Sequence, residues 1–285
     1  MEVSKEMIKE GLSRLGLKEG DVAIFHSNLR ALAAPRDLVK APECGVHLVI
    51  DAFVETAGPS GLVIVPTLTA TFASGQPGPG QYAFDPKETP SRVGSITDRF
   101  WRRPEARRSA HPTHSLAAIG DRADLFVKDH ENGSTFDRKG PYGRYADWDG
   151  YICFFGTDMR TNTTIHAVED WMDLPYMAVA YARVKQRDGS VKDVKVTKSP
   201  AGCRDFYRKD SKVERLVNGS GIIRSTQIGL ATVQLMRAQE LVDIVWDGIL
   251  RDPGLLLCDR PTCTFCPDAR KKTAEHIAAG KVPKR

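Results

Sequence analysis

The stretch YICFFGTDMRTNTTIHAVED, residues 151–170, decides the fold. Its first five residues are apolar or aromatic and a glycine follows them, a pattern that predicts a short buried strand. The polar residues 157–162 predict a turn, and the apolar spacing over 163–172 predicts a helix. Because a strand followed by a helix is the repeating unit of α/β proteins, we expect further units of this kind along the chain.

Apolar runs of similar length lie on both sides of this stretch. Strands are predicted at Val22–Ser27, Leu62–Pro66 and Leu116–Ile119, and helices at 4–17, 46–57 and 93–103. Further along, 178–187 and 191–197 predict a hairpin that joins the same sheet, and 226–250 predict one long helix. The expected fold class is therefore α/β, with a mixed central β-sheet flanked by helices in three layers.

Two segments differ from these units. Residues 71–92 are rich in Gly, Pro, Ser and Thr, which predicts a long loop of the kind that often carries function. Residues 258–285 contain three cysteines and many lysines. We expect this segment to form a tail after a main domain that spans 1–257.

The composition excludes several classes of protein. The 285 residues are 41% hydrophobic, and no apolar stretch approaches the roughly 18 residues needed to cross a bilayer, so we expect no membrane partner. The first residues lack the apolar core of a secretory signal, and we expect a cytoplasmic protein. A net charge of +5 without a basic, aromatic stripe predicts no nucleic-acid partner. Whether the chain pairs as a homodimer stays open.

The helix predicted after the strand at 151–156 carries a histidine and a carboxylate. His166 and Glu169 are three residues apart and share one helix face. A carboxylate orients an imidazole and stabilises its charged form, which makes His166 a candidate general base. The alternative is an ion pair on a helix surface.

An arginine-rich segment precedes the predicted third strand. It comprises Arg99, Arg102, Arg103, Arg107 and Arg108, followed by Ser109, His111, His114 and Ser115. Guanidinium groups match phosphate oxygens well, so this segment is a candidate for phosphate binding. The alternative is a solvated charged face with histidines that bond to the backbone.

Together, the motifs resemble the aminoglycoside 3-N-acetyltransferase family, of the antibiotic N-acetyltransferase superfamily. The order that carries the resemblance is His26-Ser27-x-Leu29, then Gly61–Thr67, Phe84-Asp85-Pro86, Arg108-Ser109-x-His111-Pro112-x-x-Ser115, and Asn162-Thr163 with His166-x-x-Glu169. The resemblance covers 20–175 closely and 200–257 loosely. It departs from the family pattern between 33 and 44, where the usual glycine pair is absent, and this leaves the identity of the substrate open.

The resemblance implies an acyltransferase that moves an acetyl group from acetyl-CoA to an amine of an aminoglycoside-type antibiotic, and so confers resistance. The alternative is another small-molecule amine in natural-product biosynthesis. His166 and Glu169 match the family's catalytic pair, and Ser27 and Leu29 match the turn that meets the pantetheine arm. The residues that match the motif lining the cofactor side are Arg108, Ser109, His111 and Ser115.

Two further groups of residues are candidate ligands. A polycationic substrate needs carboxylates near the base, and Asp170 and Asp173 are candidates. In the tail, Cys258, Cys263, Cys266 and His276 are candidate ligands of a structural zinc ion, because a Cys-x2-Cys pair is typical of zinc sites. The alternative is three reduced thiols without a metal.

Two other functional classes compete with acetyl transfer. The first is a metal-dependent hydrolase built from His26, His111, His114, His166 and Glu169, although the sequence lacks a His-x-Glu-x-x-His type of spacing. The second is a nucleic-acid-binding protein with a zinc tail, which the mild charge disfavours.

Overall fold

The computed structural model describes residues 3–32, 42–69, 83–186, 188–198 and 205–285. The strands in this part of the chain are β1 Val22–Ser27, β2 Leu62–Pro66, β3 Ala83–Phe84, β4 Arg107–Arg108, β5 Leu116–Gly120, β6 Tyr151–Phe155, β7 Ala178–Lys185, β8 Val191–Lys198, β9 Arg224–Ile228 and β10 Ala231–Arg237. The helices are α1 Lys5–Leu15, α2 Pro42–Ala57, α3 Ser95–Trp101, α4 Ala123–Val127, α5 Pro141–Asp147, α6 Thr164–Trp171, α7 Lys212–Gly219, α8 Ala238–Arg251 and α9 Cys266–Ala278.

The central sheet has seven strands in the order β4-β5-β2-β1-β6-β10-β9. The middle strands β2, β1 and β6 are parallel, and each is an almost continuous apolar run because both faces of the sheet are covered. The outer strands β5 and β10 are antiparallel to their inner neighbours, β2 and β6. The predicted mixed sheet is thus confirmed.

Alternation along the parallel strands produces two separate cores, one on each face of the sheet. Ile24 and Phe154 belong to the core that packs against α5, α6 and α8. Phe25 and Phe155 belong to the core beneath α1, α2 and α3, where Phe25 stacks on Phe53 at 4.1 Å between ring centroids. Helices therefore cover both faces, and the predicted three-layer arrangement is confirmed.

The hairpin over 178–198 forms as predicted, but it does not join the central sheet. Strands β7 and β8 pair antiparallel, and β3 pairs parallel to β7, in a separate three-stranded sheet. The mixed character of the central sheet comes instead from β5 and β10. The expectation that the hairpin makes the sheet mixed is therefore wrong.

The prediction of one long helix over 226–250 is also wrong for the first half of that range. Strands β9 and β10 occupy 224–237, joined by a turn in which Gly229 has a φ of +58°. The alternation of Ala231, Val233 and Leu235 with Thr232 and Gln234 is a strand period, which the later helical run at 238–251 had obscured.

The first helix shows how local signals fix an element's ends. Ser4 accepts a hydrogen bond from the Met7 amide at 3.2 Å, and Gly16 ends the helix with a φ of +93°. Both ends of the helix were predicted from residue type.

Among the helices of the described ranges, none is long and apolar enough to cross a membrane.

The tail packs on the body of the protein. Ile277 and Val282 contact the core beneath α8, and Arg285 pairs with Asp243 at 2.8 Å. The helix of the tail, α9, lies close to the end of α6, because the ring of His276 contacts the Met172 carbonyl.

We predict that Gly120→Ala destabilises the protein. Gly120 has a φ of +123°, and a Cβ there would lie 2.1 Å from the carbonyl oxygen of Gly61, the residue before β2. Strain of this kind costs about 1–3 kcal/mol, and the overlap adds to it. Gly189→Ala is the control, because its φ is +84° but no atom lies within 4 Å of a built Cβ. Urea unfolding of both variants measures the difference, and equal midpoints would contradict the packing at β2 and β5.

Candidate active site

A pocket of about 210 Å³ opens at the carboxyl ends of the parallel strands. Ser27 ends β1, Pro66 ends β2, and Thr161 and Thr163 follow β6. This edge is where α/β proteins bind their ligands, because the loops that leave neighbouring parallel strands meet there. The lining residues are His26, Ser27, Pro66, Leu68, Val93, Thr97, His114, Thr161, Thr163, His166 and Tyr207.

The predicted pair of His166 and Glu169 is brought together inside this site. The Nδ1 atom of His166 lies 2.5 Å from Oε2 of Glu169, and both side chains are buried, with 4% and 2% exposed. The second carboxylate oxygen accepts a hydrogen bond from the Tyr176 hydroxyl at 2.9 Å. A buried carboxylate needs such partners, and the arrangement fits an imidazole that donates from Nδ1.

The other ring nitrogen of His166 is the one that can accept a proton. Its Nε2 atom lies 2.6 Å from the Tyr207 hydroxyl, which donates to it when Nδ1 carries the hydrogen. Tyr207 lines the pocket and is 37% exposed, whereas Phe206 beside it is buried and meets the His166 ring edge-on at 5.0 Å. Nε2 therefore faces the pocket.

The start of α6 sets the direction of His166. The Asn162 side chain accepts a hydrogen bond from the Thr164 amide at 3.1 Å and so satisfies one free amide of the first turn. The Thr164 hydroxyl is bonded to the Tyr145 hydroxyl of α5, which fixes the helix against the core. His166 and Glu169 then lie on the same face, as their spacing predicted.

The two residues predicted to meet the pantetheine arm occupy different environments. Ser27 lines the pocket at the end of β1. Leu29 lies in a short 3-10 turn, Leu29–Ala31, and packs against the core beneath α2 instead of lining the pocket. The Thr67 amide, just after β2, donates to the Ser115 carbonyl at 2.8 Å.

Arg108, predicted to lie on the cofactor side, has its guanidinium group inside the protein. It donates to the carbonyl oxygens of Thr89 at 2.5 Å and Thr67 at 3.2 Å, and lies over the Trp101 ring at 4.4 Å. Burial lowers the pKa of Arg108 to about 10. Its contacts join the loop before α3 to the end of β2, which lines the pocket.

Ser109, His111 and Ser115 are also buried behind the pocket wall. The Ser109 hydroxyl bonds Nδ1 of His130 at 2.8 Å and accepts from the Leu116 amide. The Nδ1 atom of His111 accepts from the His114 amide at 3.1 Å. Within the described ranges, these three residues hold the turn that carries His114 and do not line the pocket themselves.

Two histidines that line the pocket were not among the site residues that the resemblance implies. His26 precedes Ser27 on β1, and His114 lies in the turn before β5. Burial lowers the pKa of His26 to about 4 and that of His114 to about 3, so both rings are neutral near pH 7. His26 begins one of the motifs that carry the resemblance, and this was the signal that could have identified it. His114 stands at an unspecified position of another motif, which gave no such signal.

Most of the predicted arginine cluster is paired with nearby acids. Arg102 pairs with Asp98 at 3.2 Å, Arg103 with Asp51 at 2.7 Å, and Arg107 with Asp124 at 2.9 Å. The segment is therefore a network of ion pairs around α3 and β4. Phosphate binding by these arginines stays a prediction.

The two predicted substrate carboxylates lie next to α6 but do not line the described pocket. Asp170 accepts a hydrogen bond from the Ser134 hydroxyl at 2.9 Å, and Asp173 is exposed with a φ of +51°. Of the loop predicted at 71–92, residues 71–82 lie outside the described part of the chain. The altered connection at 33–44 lies largely outside it as well.

Three of the four predicted zinc ligands come together. The sulfur atoms of Cys258, Cys263 and Cys266 all lie within 4.8 Å of one another. His276 is not part of this group, because α9 carries it away from Cys266 and its Nε2 lies 3.2 Å from the Met172 carbonyl oxygen. This corrects the ligand set, since a helical separation of ten residues spans about 15 Å.

Comparison with known proteins identifies relatives over most of the chain. The model of the family described as Aminoglycoside 3-N-acetyltransferase matches residues 24–248. Aminoglycoside N(3)-acetyltransferase IV of a Salmonella species is 27% identical over 248 residues, and the match covers 86% of this chain and 87% of that protein.

Solved structures agree with this comparison. The apoenzyme of aminoglycoside acetyltransferase AAC(3)-IVa superposes with a TM-score of 0.76 at 26% identity, covering 95% of this chain and 98% of that one. A mutant of AAC(3)-IVa in complex with a gentamicin gives a TM-score of 0.76 at 25% identity, with the same coverage of both chains.

We predict that the protein loses stability as the pH falls from about 7 to 5. The folded-state pKa is about 4 for His26 and His130 and about 3 for His114, against an ordinary value of 6.5. Below 6.5 the unfolded chain takes up protons that the folded chain does not, so the free energy of unfolding decreases.

The loss is at most about 2 kcal/mol for each of these histidines between pH 7 and pH 5. Urea unfolding at the two values measures it in the parent and in His26→Gln, which should lose less stability on acidification. An identical loss in the variant would contradict a His26 that is neutral when folded and protonated when unfolded.

Proposed function

This chain belongs to the aminoglycoside 3-N-acetyltransferase family, whose members are acyltransferases, and from that premise we propose that it acetylates an amino group of an aminoglycoside. The donor that we propose is acetyl-CoA, and the site of action is the cytoplasm, where that thioester is available. The single observation that supports this function best is the buried hydrogen bond between His166 and Glu169 at the pocket.

The reaction requires that an ammonium group lose a proton before it can attack. His166 Nε2 is placed to accept that proton, because Nδ1 is held by Glu169. The Tyr207 hydroxyl lies where a substrate amine would have to approach Nε2, so we propose that the amine displaces it. As the proton moves, the imidazolium that forms is stabilised by the adjacent carboxylate.

The amine nitrogen then attacks the thioester carbonyl carbon. A C–N bond forms and the C–S bond breaks. The first proton, taken from the ammonium group, leaves His166 for solvent before the attack, and the second, lost from the attacking nitrogen, passes through His166 to the departing CoA thiolate. The products are the N-acetylated substrate and free CoA. Direct transfer needs no acyl-enzyme, since two substrates bound side by side gain from proximity. Cys153, buried in β6, is not a nucleophile in this scheme, because burial raises the pKa of its thiol.

Similarity also supports the class of substrate. A mutant of the related AAC(3)-IVa was solved in complex with a gentamicin. Acetylation would convert a charged ammonium group of such an antibiotic into a neutral amide, which fits a role in resistance. An amine from natural-product biosynthesis is the alternative outcome of the assay below.

We expect the protein to release CoA from acetyl-CoA when gentamicin is the acceptor. His166→Ala should lower kcat on the order of 10²–10⁴-fold, the usual contribution of a general base, while acetyl-CoA affinity stays unchanged. Glu169→Gln should lower kcat as well. A thiol-release assay gives kcat, and calorimetric titration gives the affinity.

The matched control is His47→Ala, because His47 is exposed on α2 and outside the pocket. Near-normal turnover in the His166 variant would overturn its role as base. Activity with simple amines but none with aminoglycosides would reject the proposed substrate class and leave acetyl transfer in place.

We also propose that Cys258, Cys263 and Cys266 hold a structural zinc ion. The thiols are close together, and the Cys266 amide donates to the Cys263 sulfur at 3.4 Å. A Cys-x2-Cys turn with an N–H group directed at a sulfur atom suits a thiolate, because the amide partly neutralises its charge. Zinc sites of the structural type usually take such thiolates as ligands.

We predict about one zinc ion per purified chain, since a site of three thiolates binds zinc tightly near neutral pH. Cys263→Ser should lose the metal and melt at a lower temperature. Cys153→Ala should keep the metal, because Cys153 lies in β6, apart from the cluster. Elemental analysis and thermal melting measure the two properties. A metal-free parent protein would dismiss the zinc site.

A further inference from the structure

The catalytic carboxylate depends on a residue from outside its own helix. Glu169 uses one oxygen for His166 and the other for the Tyr176 hydroxyl at 2.9 Å. Tyr176 follows α6, after the chain reverses at Asp173, whose φ is +51°. The phenol therefore reaches back to Glu169 from a loop, and whatever fixes that loop also fixes the carboxylate.

The cysteine cluster is one of two apolar cores that pack against this tyrosine, the other being the core beneath α8. The ring of Tyr176 meets the ring of Phe265 edge-on, with 6.4 Å between centroids and an interplanar angle of 77°. Phe265 lies between Cys263 and Cys266 in the chain, and Tyr176 packs against the small core that contains Cys258 and Cys266. The position of the phenol thus depends on the turn that carries the three thiols.

Metal binding would tighten this turn. Three thiolates in a tetrahedral zinc site, each about 2.3 Å from the ion, lie about 3.8 Å apart. The sulfur atoms here lie within 4.8 Å of one another, so a contraction of about 1 Å or less closes the site. Without a metal, the turn is held by packing and by hydrogen bonds, among them those from the Cys266 amide to the Cys263 sulfur, from the Cys263 amide to the Arg260 carbonyl and from Arg270 to the Cys258 carbonyl.

We infer that the metal-bound cysteine turn braces the catalytic pair, through Phe265 and Tyr176, and so sets the position of Glu169. This inference rests on the proposed zinc site. Tyr176 is a positioning residue in this arrangement, since it acts through Glu169 and is not among the residues that line the described pocket. The tail would then contribute to turnover as well as to stability.

The test compares Tyr176→Phe with the parent enzyme, each as isolated and after zinc removal by a chelator. Tyr176→Phe keeps the ring contact with Phe265 but removes the hydroxyl that bonds Glu169. We expect kcat to fall about tenfold, the cost of one hydrogen bond to a charged group, with the KM for acetyl-CoA and the zinc content unchanged. Zinc removal should lower kcat of the parent but have much less effect on kcat of the variant.

Tyr181→Phe is the matched control, because Tyr181 lies on β7 with 67% of its surface exposed. Equal losses of kcat on zinc removal in the parent and in Tyr176→Phe would overturn the brace, although the zinc site would stand. Unchanged kcat in Tyr176→Phe would also overturn it. The inference would also fail if the parent protein held no zinc or contained a disulfide among these cysteines, because no metal would then brace the turn. If zinc removal unfolds the protein, a melting transition will appear below the assay temperature. In that case the inference is tested by the kcat of Tyr176→Phe with its zinc retained, which should fall.

Discussion

The buried carboxylate of Glu169 is the constraint on which the rest of the site depends. An ionised group so deeply buried is tolerated only when its oxygens are bonded, and here two donors from different segments serve it. One is His166, which thereby presents its other nitrogen to the pocket. The other is Tyr176, which reaches back from the loop after α6. The pocket chemistry and the packing of the carboxyl-terminal tail are therefore linked through one side chain.

A second constraint is the burial of Arg108 beneath the pocket wall. Its guanidinium group is fixed in charge and finds carbonyl oxygens and aromatic faces as partners. Those carbonyl partners come from the end of β2 and the loop before α3. The side chain of Arg108 therefore contacts segments that are distant in sequence. The Arg108–Ser115 motif consequently shapes the pocket from behind, where Ser109, His111 and Ser115 hold the turn of His114. A motif that resembles a ligand-binding segment is thus also a piece of internal architecture.

The sequence predicted what depends on local pattern and missed what depends on distant partners. Strands β1, β2 and β6 were evident because parallel strands covered on both faces are continuous apolar runs. The pair His166 and Glu169 was evident because three residues make almost one helical turn. The sheet to which the hairpin at 178–198 belongs was not evident from the sequence, because its neighbouring strand β3 lies about a hundred residues earlier. The sequence also did not predict the contacts of Tyr176 and Tyr207 or the distance of His276 from the cysteines. These depend on tertiary contacts, which residue spacing does not reveal.

The charges around His166 suit its proposed role as the base. His26 and His114 are neutral in the pocket wall, because burial keeps their pKa values far below 7. Neither of these two rings would therefore oppose the positive charge that the proposed transfer places on His166. In the proposed reaction the carboxylate of Glu169 attracts the ammonium group of the substrate, and it pairs with the ring of His166 while that ring carries the proton. A cationic substrate that becomes a neutral amide would lose this attraction with its charge, which favours release of the product.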